Sequence, residues 1–190
     1  MGLRLSGWYF LHDKPKFWCD VRRKLHILTL EKSQWYDDCL QFYSSLDVKD
    51  KVVIDVGDDF GTTPMYFLRK GATNVFGYSK DKQYFHNDHY KHYNVDEEPT
   101  YLNNTIVKIK DIKKAMSPQN LVLKSDCEGC EWEFTPEFIE IFDDWVIAVH
   151  NPVENPDLLK YIQNNGILIG NEGNIEFGIY KKMKFRIENE

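Results

Sequence analysis

Two apolar runs in the second half of the chain each end in residues able to move protons or hold polar ligands. Leu123-Lys124-Ser125 leads into Asp126-Cys127-Glu128-Gly129-Cys130-Glu131, and Trp145-Val146-Ile147-Ala148-Val149 leads into His150. Asp126 and His150 are therefore candidate general bases, while Glu128 and Glu131 are candidate partners for a substrate's hydroxyl groups or an ammonium. Asp126 and Glu128 have an equally available structural use, because acidic side chains also cap the turn after a strand. A strand that ends this way opens on the carboxyl edge of a sheet, where open α/β folds bind ligands.

The cysteines and the other histidines are read more plainly. Cys127 and Cys130 have C-x-x-C spacing, which suits half a zinc site or a redox pair. Cys19 and Cys39, lone residues elsewhere in the chain, make a poor second half, so no metal is expected. Asp126, Glu128 and Glu131 would raise the thiol pKa, whereas reactive cysteines need positive surroundings, so the pair is expected as buried, reduced thiols. His86, His89 and His92 recur at every third position. On a straight helix they fan across about 120° and cannot all reach one ion, which leaves a solvated polar face.

Upstream, Val52-Val53-Ile54-Asp55-Val56-Gly57-Asp58-Asp59-Phe60-Gly61 runs into Thr62-Thr63-Pro64-Met65. The β-branched run reads as a strand buried on both faces, and Pro64 fits the first turn of a helix, where backbone N–H groups lack partners. Those N–H groups and the helix dipole favour an anionic group at the mouth of a crevice. A dinucleotide fingerprint needs a second glycine where Asp59 stands, and Asp58 with Asp59 would repel a pyrophosphate. S-adenosylmethionine, with one carboxylate, an ammonium and a sulfonium, suits this loop better, and a nicotinamide-dependent oxidoreductase suits it less.

Strands and helices alternate along the rest of the chain. Asn74–Tyr78 reads as a second strand, Asp81–Tyr93 as a helix, Thr105–Lys110 as a third strand and Asp111–Met116 as a short helix. Asn120–Ser125 is a fourth strand and Trp145–Val149 a fifth, separated by a helix over Thr135–Asp143 with Thr135 as N-cap. A helix from Asn155-Pro156 to Gly166 precedes two strands, Ile167–Gly170 and Ile175–Lys181, joined by turn residues into a hairpin with an antiparallel edge. The expected fold is a three-layer, Rossmann-like α/β sandwich: a seven-stranded, mostly parallel sheet with an antiparallel C-terminal hairpin strand.

This order and these motifs resemble a class I S-adenosylmethionine-dependent methyltransferase, and most closely the FkbM-type family. Val53-Ile54-Asp55-Val56-Gly57 with Gly61 is similar to that family's cofactor loop. The Leu123–Glu131 segment, ending in D-x-E-G-x-E, is similar to its fourth strand, and the run ending in His150 to its fifth. The resemblance spans residues 47 to 182 and implies methyl transfer to a hydroxyl of a small molecule or sugar. It implies cofactor contacts from Asp55, Gly57, Asp58 and Gly61, from Ser79 at the ribose and from Asp111 near the adenine. Such folds place an acid where Ser79 stands, and losing one charge-assisted bond costs about 1.5–3 kcal/mol, or roughly ten- to a hundredfold in affinity. A non-catalytic module that keeps the fold, has weakened or lost cofactor binding and acts through protein contacts is the alternative.

The whole chain fits one compact unit, with an aromatic-rich, partly helical cap segment over residues 1–46 and the methyltransferase-like domain over 47–190. At 190 residues and 42% hydrophobic content it can fill a three-layer core. A net charge of −6 argues against a general nucleic-acid partner. With no span-length apolar run and no signal-peptide pattern, no membrane partner and a cytoplasmic location are expected. Sequence does not set the oligomeric state.

Overall fold

The computed structural model describes residues 42–58, 61–79, 86–94, 120–127, 129–150, 155–170 and 177–183. Seven strands form one sheet: β1 (Val52–Val56), β2 (Asn74–Ser79), β3 (Tyr90–Asn94), β4 (Leu121–Ser125), β5 (Asp144–His150), β6 (Gly166–Gly170) and β7 (Phe177–Lys182). Their order is β3-β2-β1-β4-β5-β7-β6. The first five are parallel neighbours, and β7 alone runs against them, pairing antiparallel with β5 and β6.

Every residue of β1 and β4 is buried, as continuous apolar runs require when both faces of a strand are covered. Val52, Ile54 and Val56 face a core shared with Phe138, Ile139, Leu158 and Ile162, contributed by α2 (Pro136–Ile139) and α3 (Pro156–Asn165). Val53 faces the opposite core with Met65, Tyr66 and Phe67 of α1 (Thr62–Arg69) and with Tyr43, Leu46 and Val48. The period of two along the strand thus builds three layers. The helices begin where their capping residues dictate: Thr135 accepts from the Phe138 amide at 3.2 Å and Asn155 from the Leu158 amide at 3.1 Å, each followed by proline.

Two expectations are corrected. Tyr90–Tyr93, expected as the end of a helix, belong to strand β3, its register on β2 running from Val75↔Tyr90 to Ser79↔Asn94. The tyrosines give the reason: Tyr93 stacks on Tyr78 with ring centroids 5.0 Å apart, while Tyr90 and His92 turn to the other side, toward Asp58. The histidine spacing imitated a helical face that this segment does not form. The helix from Thr135 ends at Ile139, four residues before Asp143. The C-terminal hairpin forms the expected antiparallel edge, and its strand order is now fixed. β7 inserts between β5 and β6, and the edge is β6, whose Ile167 and Leu168 are exposed. Thr105–Lys110, Asp111–Met116 and the cap segment up to residue 41 lie outside the described residues; Tyr43 and Leu46 of that segment pack into the sheet core.

Candidate functional site at the carboxyl edge of the sheet

β5 delivers His150 to the carboxyl edge beside the end of β4, and the short helical turn Cys130–Glu133 returns Glu131 underneath it. Glu131 is fully buried, and three hydrogen bonds fix its carboxylate. Oε1 accepts from the His150 amide at 2.7 Å and from His150 Nδ1 at 2.9 Å; Oε2 accepts from the Gly129 amide at 2.9 Å and lies 3.3 Å from Cys127 Sγ. Because a carboxylate only accepts, Nδ1 carries the ring proton and Nε2 bears the lone pair. Asp126 Oδ1 stands 3.6 Å from that Nε2, while its Oδ2 accepts from the Tyr43 hydroxyl.

A second pair lies deeper. Asp55 on β1 and Lys124 on β4 are both buried, with Lys124 Nζ 3.0 Å from Asp55 Oδ1; Thr63 donates to the other oxygen. Burial pushes the Asp55 carboxyl up to about 7, with Asp58 adding to the rise and Lys124 and Thr63 opposing it. Lys124 also donates to the Gly57 carbonyl and sits 5.3 Å from the centre of the Tyr43 ring. Tyr43 thereby touches both groups of charges.

Asp58 forms a third cluster. Its buried carboxylate accepts from Tyr90 at 2.6 Å and His92 at 2.8 Å, and Ser79 adds a further bond. Burial alone would raise its pKa, but the bonds from His92, Tyr90 and Ser79 win and hold it below the usual carboxylate range. Gly77 makes room for it: a Cβ there would stand 2.1 Å from Asp58 Oδ2.

The turn after β1 carries the features a ligand would use. Gly57 has φ +81°, and a Cβ on it would fall 1.8 Å from the Asp126 carbonyl oxygen, so only glycine lets the two strand ends close. Gly61, at φ +94°, opens α1 with no side-chain cap, leaving the first-turn amides to other partners. Tyr78, at the end of β2, is buried with no hydrogen-bond partner for its hydroxyl among the described residues. Cys127 and Cys130, expected as reduced thiols, are joined in a disulfide. The acidic neighbours that suppress a thiolate also withhold the stabilisation that would favour the reduced pair. The two sulfurs and a Glu131 oxygen lie within 4.8 Å of one another.

Of the residues singled out in the sequence, the structure unites His150, Asp126 and Glu131, with Glu131 beneath the histidine. Asp55 is turned to Lys124, and Asp58 and Ser79 are turned to each other. Gly57 and Gly61 shape the turn. Asp111 and Glu128 lie outside the described residues. Sequence reading missed Tyr43, Lys124, Tyr90 and His92. Lys124 had one signal, a charge inside an otherwise apolar strand.

No protein-family model matches the chain. It is 30% identical over 139 residues to the uncharacterized protein 158B of Sulfolobus islandicus rod-shaped virus 1, a match covering 71% of this chain and 84% of that protein. The chain belongs to the 158B family. A second relative, the uncharacterized protein 65 of Sulfolobus islandicus filamentous virus, is 24% identical over 115 residues, covering 60% of this chain and 68% of its own. Among solved structures, one described as a ribosomal RNA methyltransferase of Plasmodium falciparum superposes with a TM-score of 0.53 at 12% identity, covering 81% of this chain and 98% of that one. That likeness concerns the fold, which is the class I methyltransferase fold. No helix among the described residues of this 158B-family chain is long and apolar enough to cross a membrane.

Proposed function

We propose that this protein is an S-adenosylmethionine-dependent methyltransferase of the FkbM type, transferring a methyl group to a hydroxyl of a small molecule or sugar with His150 as general base. One observation carries the reading: a partly exposed imidazole, oriented by a buried carboxylate 2.9 Å from Nδ1, at the carboxyl edge of a class I methyltransferase fold. Glu131 fixes the tautomer, so Nε2 is the proton-accepting nitrogen and the imidazolium that forms is stabilised from behind. Asp126, beside Nε2 and held by Tyr43, shares the positive charge and is the other candidate base.

The residues present fit the donor molecule. The backbone at Gly57 and Gly61 and the uncapped start of α1 suit its carboxylate, and the Tyr78 hydroxyl, without a partner among the described residues, offers a bond near the end of β2. Bound there, S-adenosylmethionine supplies an electrophilic methyl group. Glu128 and Asp111 are proposed for the acceptor and the adenine. Calorimetric titration with S-adenosylmethionine and its demethylated product tests this first; absence of both heat and thermal shift at millimolar ligand rejects it.

The second reading, a protein-binding module with weakened cofactor affinity, draws support from the hydrogen bond between Asp58 and Ser79. It predicts a folded chain that binds neither compound.

A further inference from the structure

We propose that Cys127–Cys130 is a reversible thiol–disulfide exchange site whose oxidation state is read by His150 through the shared Glu131 carboxylate. Cys127 and Cys130 are partly buried, packed against the core beside the end of β4. Cys127 Sγ lies 3.3 Å from Glu131 Oε2, and the amide that also binds this oxygen belongs to Gly129, inside the loop that the disulfide closes. The opposite oxygen, Oε1, is the one bonded to His150 Nδ1. A single buried carboxylate therefore touches the sulfur on one side and the imidazole on the other.

The chemistry follows from which sulfur carries a proton. In the disulfide, Cys127 has none to donate, and among the described residues Oε2 accepts a hydrogen bond from Gly129 alone. A dithiol reductant attacks one sulfur as its thiolate, forming a mixed disulfide and releasing the other cysteine as a thiolate that takes up a proton. The reductant's second thiol then displaces the first cysteine. Two electrons and two protons have passed to the protein, and the reductant leaves as a cyclic disulfide. The Cys127 S–H now donates to Oε2 and draws carboxylate charge away from Oε1. The imidazolium of His150 loses stabilisation, so reduction weakens the base. The charged and titratable groups facing His150 among the described residues are Glu131 and Asp126, the latter bonded to Tyr43.

The experiment is an NMR titration of the His150 ring in the full chain, oxidised and then reduced with dithiothreitol in the presence of a chelator, which keeps metal off the freed thiols. Peptide mapping assigns the state of Cys127 and Cys130. The expected result is a titration midpoint about half a pH unit or more lower in the dithiol form. The difference vanishes in Glu131→Gln, and the Cys127→Ala/Cys130→Ala protein, which opens the loop without supplying a donor, keeps the oxidised value. Equal midpoints in the two states overturn the proposal. So does a pair that resists reduction until the protein unfolds, or a double-alanine protein that titrates like the dithiol. The inference rests on the proposed base role only for its effect on turnover. Because the titration uses neither donor nor acceptor, a failure here is distinct from a failure to bind S-adenosylmethionine.

Discussion

His150 is placed by one buried side chain, and that makes its role separable from the cofactor's. Replacing His150 by alanine is expected to lower turnover on the true acceptor by about a hundred- to ten-thousandfold with donor affinity nearly unchanged, because a base acts on the acceptor's proton. If Asp126→Asn gives that loss and His150→Ala does not, the carboxylate is the base; steady-state kinetics with labelled donor decides. Gly57→Ala is expected to destabilise the fold itself, since the new methyl group meets the Asp126 carbonyl and not a movable side chain; a lowered melting temperature checks it. His150 and Asp126 were legible in the sequence because each closes an apolar run, and a strand's end is a place. Tyr43 was not, because nothing in an aromatic-rich segment says which ring carries the hydroxyl that reaches a carboxylate 83 residues on.

The Asp55–Lys124 pair ties the two central strands, β1 and β4, and its charges are too deep to be hydrated. Lys124→Met alone is expected to cost about 3–5 kcal/mol by stranding a buried carboxylate, and the Asp55→Asn/Lys124→Met double variant distinctly less; urea unfolding measures both. The pH dependence has a definite sign. Asp55 has a folded pKa of about 7, above its ordinary 3.8, so between those values the native state holds a proton that the unfolded chain has released. Its contribution to stability is therefore full below about 4 and lost as pH rises toward 7. The double variant is expected to lack that decline. Asp58, with its lowered pKa, acts in the opposite sense and only at more acidic pH. At this scale β1, β4 and β5 could be read from largely apolar runs. β3 could not, because its identity lies in alternate tyrosines packing against β2 and Asp58, contacts that come from elsewhere in the chain.

The sheet as a whole depends on β7, which covers β5 and seats Lys181 3.1 Å from the buried Asp144. A chain ending at residue 165 is expected to aggregate, since it would turn the apolar strand β5 into an open edge; light scattering during refolding reports it. The three-layer architecture was legible in the alternation of elements, whereas the insertion of β7 was not, because a hairpin signal says that two strands pair and not which of them meets the rest of the sheet. Strand order also sets a schedule for synthesis. Lys124 closes on Gly57 across 67 residues of chain, so β1 leaves the ribosome long before its central neighbour exists. Until then the nascent chain carries an apolar segment with an acid at its middle, and that charge, still hydrated, keeps the segment soluble while it waits.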